Sequence, residues 1–162
     1  MKSFILLFLL VSFTLAEELK IYTIVQGRVL KVYVKEGEKV KKGQLLLEID
    51  PSLYSARKTV LLGKRKEIQI KLWKAERDFK RLKELFERDL LAETRLEDQK
   101  VKYEAEKAKL EQIEGKLKEI ETLISYTKIY APENGTVRRL LTPEGAYVNG
   151  ELIPQPVLIL SR

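Results

Sequence analysis

From residue 51 to residue 127 the apolar positions recur every three or four residues; on either side they form short β-branched runs punctuated by glycine. Within the long block, Tyr54, Leu61, Ile68, Leu72, Ala75, Phe79, Leu82 and Phe86 follow a heptad seam, with Arg65 at one of its core positions. A second seam runs through Ala92, Leu96, Gln99, Tyr103, Glu106, Leu110, Ile113, Leu117, Ile120 and Ile124. Neither run contains an internal proline, and they meet between Arg88 and Glu93. The pattern predicts an antiparallel helical hairpin over 51–127, with arms of roughly 50 Å at the α-helical rise. Asp50 is placed to cap the first helix, with Pro51 at its first position, where a missing N–H is harmless. Thr94 and Glu97 read as a capping box for the second. Gly63 and Gly115 fall at nearly one height of the hairpin. A glycine inside a helix costs about 1 kcal/mol relative to alanine, so the pair marks either a hinge or a close approach of the two backbones.

The flanks repeat each other. Laid over 128–148, residues 20–40 coincide at Lys20/Lys128, Ile21/Ile129, Tyr22/Tyr130, Gly27/Gly135, Val29/Val137, Glu36/Glu144, Gly37/Gly145 and Val40/Val148. Two glycines at matching places imply repeated turn chemistry. Each copy supplies three or four short strands, ending in "QLLLEI" and "PVLILS". So small a sheet buries no core by itself. Two copies facing each other do, as a flattened barrel or sandwich of about eight strands. The expected fold class is α+β: a β-domain from 17–50 and 128–162, with the hairpin inserted between its halves.

Composition narrows the chemistry. "MKSFILLFLLVSFTLA" has a basic start, an apolar run and small residues before Glu17, the pattern of a secretory leader over 1–16. Export to a bacterial periplasm follows, and an uncleaved anchor holding the chain at the inner membrane is the alternative. Beyond Met1 the chain has no Met, and it has no Cys or His anywhere. That excludes His- or Cys-based catalysis and disulfides, and leaves no soft ligands for copper, silver or zinc. No nucleophile and base stand near a glycine-rich strand end, so no enzyme and no cofactor are expected. The net charge is +7, yet the basic residues are interleaved with acids on solvated helix faces, so no nucleic-acid partner is expected. The charge is unevenly divided. Residues 51–88 carry twelve Lys and Arg against five Asp and Glu, whereas 93–126 carry seven against nine. Opposite signs favour pairing within the hairpin and side-by-side packing of neighbouring copies, a contact that closes into a ring homo-oligomer.

"GRVLKVYVKEGEKVKKGQLLLEID" and "IYAPENGTVRRLLTPEGAYVNGE" resemble the two half-motifs of the lipoyl-like barrel-sandwich hybrid domain. Split by a helical hairpin, that domain is the mark of the periplasmic adaptor, membrane fusion or HlyD-like proteins. The resemblance implies a subunit of a tripartite efflux or secretion system whose hairpin tip contacts an outer-membrane TolC-type channel. It implies an inner-membrane pump as the second partner, reached directly or through another chain. On this chain the implied tip contacts are Arg81, Leu85, Arg88, Leu91, Ala92 and Glu93. Arg81 and Leu85 match the family's tip pattern, but Ala92 stands where a serine is usual. Family members also continue into a β-barrel and a membrane-proximal domain, so a chain ending at Arg162 is expected to be a minimal adaptor or a truncated relic. Lipoyl and biotinyl carriers share the half-motifs but present a lysine at the turn between them, where this chain has "IDPSLYSA". A self-assembling envelope scaffold or chaperone-like coiled coil predicts the same shape without a channel partner. The residues alone leave that alternative open.

Overall fold

A computed structural model describes residues 17–161; the expected leader lies outside them. The elements run β1 (Glu18–Thr23), β2 (Gln26–Val32), β3 (Lys39–Val40), β4 (Leu45–Ile49), α1 (Ser52–Phe86), α2 (Glu93–Ser125), β5 (Lys128–Tyr130), β6 (Gly135–Leu140), β7 (Tyr147–Asn149) and β8 (Gln155–Ser161). The strands form two four-stranded antiparallel sheets, ordered β1-β8-β6-β3 and β5-β4-β2-β7. Exchanging β1–β4 for β5–β8 turns one order into the other. The repeat seen along the chain is therefore a pseudo-twofold in space.

The exchange reaches individual hydrogen bonds. Val29 N–H donates to the Ala146 carbonyl and Gly145 N–H to that of Val29, at 2.8 and 2.9 Å. One repeat away, Val137 N–H donates to the Glu38 carbonyl and Gly37 N–H to that of Val137, at 2.8 and 2.7 Å. The Glu144 carboxylate accepts from Val32 N–H and the Glu36 carboxylate from Leu140 N–H, both at 2.8 Å. Each Glu-Gly turn thus closes a strand of the other half. Gly37 and Gly145 hold φ of 84° and 80°, a left-handed conformation that costs glycine nothing. At Gly27 and Gly135 a Cβ would come within 2.8 Å of Ile49 Cγ2 and the Ser161 carbonyl oxygen, respectively. The four shared glycine positions therefore serve two purposes: a turn, and a close approach.

Neither half is a sheet by itself. Of the six strand pairings only β2–β4 and β6–β8 lie within a half; β1–β8, β2–β7, β3–β6 and β4–β5 join the two. Between the sheets lies an aliphatic core in which Leu46, Leu47, Ile49, Val137, Leu158 and Leu160 are fully buried.

The helices meet along the two predicted seams. Tyr54, Ile68 and Ala75 are buried on α1, and Ile113, Leu117 and Ile120 on α2. Phe86 and Ala92, at the far ends of the seams, are exposed. The start of α1 lies one residue later than expected: Pro51 (φ −82°, ψ 0°) is its N-cap and makes no side-chain bond, while the Asp50 carboxylate just before it accepts from Ser52 N–H at 2.9 Å and from the Ser52 hydroxyl. Those bonds hold the Asp50 carboxyl below its ordinary pKa. The Thr94–Glu97 capping box does not form. Extended Ala92 (φ −69°, ψ 138°) is the N-cap and makes no side-chain bond, so Thr94 already lies inside the first turn, where its hydroxyl cannot act as a cap. Among the described residues no helix is long and apolar enough to cross a membrane.

Candidate functional site: the hairpin root and tip

The root of the hairpin is built into the sandwich. Tyr54 and Ile120 belong to the inter-sheet core, and Leu61, Leu123 and Ile124 pack against it. Fully buried Tyr54 also carries the polar joint, which sequence reasoning had placed only as a seam residue. Its hydroxyl accepts from Gln26 N–H at 2.8 Å and donates to Glu151 Oε1 at 2.7 Å. Gln26 Nε2 donates to Glu151 Oε2 at 2.8 Å, and the Arg57 guanidinium lies 3.6 Å from Oε1. Three segments far apart in sequence are tied at one phenol. Its desolvation, with the bond to Glu151, pushes the Tyr54 pKa up to about 12.

Above the root the packing becomes mixed. Phe79 and Tyr103 stack with centroids 5.8 Å apart, and Gln99 Nε2 donates to the Ala75 carbonyl at 3.2 Å. Arg65 Nε and Glu106 Oε2 are buried without a hydrogen-bond partner. Gly63 and Gly115 do lie at similar heights, since their neighbours Lys64 and Lys116 line one groove. A Cβ on either would meet nothing within 4 Å. Close backbone approach is thus not the reason for these glycines.

At the far end α1 stops in a left-handed residue, Asp89, with φ of 58°. Leu90 N–H donates to the Leu85 carbonyl at 3.0 Å and Asp89 N–H to that of Phe86 at 2.9 Å. This is the Schellman arrangement, which satisfies the last carbonyls of a helix. The turn gathers the six expected tip residues unevenly. Leu85 and Leu91 are half-buried against it, whereas Arg88, Ala92 and Glu93 are exposed. Arg81 stands below the turn on α1, its guanidinium 2.9 Å from Asp78. Leu90, which the seams do not include, is 69% exposed at the apex, and Phe86 is 36% exposed. Phe79, Phe86 and Leu96 line an open groove of about 430 Å³ beside them. The signal for Leu90 was available: it is a large apolar residue that fits neither heptad register. Among the described residues no group of three or more carboxylates is arranged to hold a metal.

The family profile described as RND MFP, barrel-sandwich hybrid domain matches residues 17–159, both half-sandwiches and the hairpin together. The chain belongs to this membrane fusion protein family. Among the curated relatives is the multidrug resistance protein MdtA of Yersinia pestis (strain Pestoides F), 25% identical over 138 residues. The match covers 85% of this chain but 31% of the relative, so the chain spans about a third of that length. Among solved structures, a putative efflux transporter of Bacteroides eggerthii superposes with a TM-score of 0.50 at 25% identity, covering 91% of this chain and 40% of that one. ZneB of Cupriavidus metallidurans superposes with a TM-score of 0.63 at 20% identity, covering 89% and 60%, which shows a shared fold. The split sandwich and hairpin are thus those of an RND-type membrane fusion protein.

Proposed function

We propose that this chain is the hairpin-bearing part of a periplasmic adaptor in a tripartite efflux system. Its tip docks on an outer-membrane channel of the TolC type, and the pump in the inner membrane is engaged from the opposite end. The observation that carries this reading is the arm itself. It is rooted in the sandwich core by Tyr54 and Ile120 and ends in a hydrogen-bonded turn that exposes Leu90. A firmly based lever with an apolar apex suits docking between helices of another protein, and membership in the membrane fusion family supports that partner. Arg81, Leu85, Arg88, Leu91, Ala92 and Glu93 are the proposed contact residues, to which the exposure of Leu90 adds a seventh. The Gly63/Gly115 level is the proposed hinge, because open space on both sides lets the helices bend there without a clash. The adaptor itself performs no reaction; substrate choice resides in the pump.

Single cysteines at Arg81, Ala92 and Glu93 test the reading, since the chain has no thiol of its own. Cross-linking in the native envelope is expected to yield a product containing an outer-membrane channel protein. Products made only of this chain, formed equally by a control cysteine on the hairpin flank, would replace the adaptor with a self-assembling scaffold.

A further inference from the structure

Just above its root the hairpin is grooved on one face. Val60, Leu61, Ile120 and Leu123 line an open hollow of about 430 Å³ there, with Arg57, Lys116 and Glu119 as its charged walls. Ile120 forms part of the inter-sheet core, whereas Val60 is 71% exposed. Arg57 is already paired with Glu151, 3.6 Å away, at the start of the β7–β8 turn. The next two residues of that turn, Leu152 and Ile153, are 83% and 75% exposed. Further along the arm a second hollow, of about 260 Å³, is polar: Lys64, Lys71, Lys109 and Lys116 line it with Glu67 and Glu106. Lys116 belongs to both, so the apolar groove opens into the cationic one. Four lysines there meet two carboxylates. Lys71 is paired with Glu67 and Lys109 with Glu106. Among the described residues Lys64 and Lys116 form no ion pair.

An apolar groove that opens onto two unpaired ammonium groups matches an alkyl chain ending in an anion. We propose that the root groove binds such an anionic amphiphile, its chain over Val60, Leu61 and Leu123 and its phosphate, sulfate or carboxylate head between Lys64 and Lys116. The distances suit one small molecule. Val60 and Lys64 are one helical turn apart on α1, and Lys116 and Leu123 two turns apart on α2, roughly 6 and 10 Å of rise. The apolar hollow also falls within the roughly 300–1,000 Å³ of small-molecule sites. A partner helix, by contrast, needs a longer stripe of i, i+3, i+4 and i+7 anchors, and here the apolar floor gives way to lysine after one or two turns. Each methylene taken from water raises affinity up to about fourfold, and the head accepts charge-assisted hydrogen bonds from the two lysines. The site goes beyond the adaptor reading and does not rest on it, since neither the tip nor a pump takes part.

The test is calorimetric titration of the full chain with decyl phosphate below its micelle concentration. Saturable binding of one molecule per chain is expected. Octyl phosphate should bind roughly tenfold more weakly, because two methylenes are missing. Inorganic phosphate and decyltrimethylammonium each supply only one half of the match and should show no saturable binding. Either of them binding as tightly as decyl phosphate overturns the proposal, the first by making the groove a plain anion site and the second by making it a plain apolar one. No saturable binding of decyl phosphate overturns it as well. Charge reversal then locates the head. Lys64→Glu with Lys116→Glu is expected to weaken decyl phosphate about tenfold or more, with the helical circular dichroism retained. Lys118→Glu, at an exposed lysine outside both hollows, is expected to change nothing. An equal loss in the two variants, or no loss in the first, places the head elsewhere and overturns the assignment. The comparison of chain lengths and head groups uses the parent protein, so it stands even if a variant fails to fold.

Discussion

The sandwich and the hairpin are held together in different ways. In the sandwich, four of six strand pairings join residues from opposite ends of the chain, and the aliphatic core between them is closed to solvent. In the hairpin beyond its root, the contacts are between two neighbouring helices, and the seam includes Arg65, Gln99 and Glu106. Fully buried side chains are concentrated near the root, and the seam residues from Phe79 to the tip are at best half-buried. The difference separates stability from reach. The base is one cooperative unit whose halves cannot exist apart, and the arm is a lever whose outer part is only loosely packed.

The largest break in that contrast is a cavity in the base. Leu46→Ala removes a fully buried side chain between the sheets and is expected to cost about 3 kcal/mol of unfolding free energy. Leu96→Ala, at a half-buried seam position near the tip, is expected to cost about 1 kcal/mol. Urea titrations of both variants decide the matter; equal losses would show that the arm is as tightly packed as the base.

Next in size is the joint between the regions. Tyr54→Phe leaves the Gln26 N–H and the Glu151 carboxylate without their shared partner, a loss of about 2 kcal/mol. It also carries a pH signature. The Tyr54 pKa is raised in the folded protein from 10.0 to about 12, chiefly by desolvation. The folded state holds this proton more tightly than the unfolded chain does, so the stabilisation is full below pH 10 and is lost as pH rises toward 12. Thermal midpoints between pH 9 and 12 should fall more steeply for the parent than for Tyr54→Phe. Parallel curves would place the alkaline loss elsewhere.

How much of this was legible in the sequence follows the same divide. The hairpin announces itself, since helical contacts are local and the 3.5-residue period writes them directly into the order of residues. The sandwich was readable through its repeat: Gly27, Gly37, Gly135 and Gly145 are glycines because the backbone there demands it, and the demand occurs twice. The reciprocal bonds of Glu36 and Glu144 were hidden, for a carboxylate accepting from a strand 104 or 112 residues away leaves no local pattern. Tyr54 was read as ordinary packing because its hydroxyl partners come from both flanks. At the tip, the capping box was misplaced for a local reason. Thr94 and Glu97 have the right spacing, but Asp89 stops α1 early enough that α2 begins before Thr94.

The arm can be stiffened to sharpen the comparison. Because a Cβ at Gly63 or Gly115 meets nothing within 4 Å, alanine at either site is expected to raise stability by about 1 kcal/mol through helix propensity alone. The gain is checked by hydrogen exchange of amides in the surrounding turns. If the level is a hinge, the doubly substituted chain should be more stable yet poorer at supporting efflux. Greater stability with full efflux would remove the hinge from the mechanism.

The smallest effect isolates the tip. Ala92 occupies the N-cap of α2 with an extended backbone and no side-chain bond, so the first N–H groups of that helix lack the acceptor a serine provides. Arg95 N–H already donates to the Ala92 carbonyl at 3.1 Å, so Ala92→Ser offers its hydroxyl to the Thr94 N–H and is expected to add about 1 kcal/mol to the first turn. A gain of that size slows local opening about fivefold, visible as slower exchange at residues 94–96 with little change in the sandwich. The same substitution supplies the serine that the resemblance implies at this position, so it separates two uses of one hydroxyl. Slower exchange with unchanged cross-linking to the channel makes the hydroxyl a cap and nothing more. Stronger cross-linking without slower exchange makes it a contact, and the docking geometry of the tip is then read from Ala92 outward.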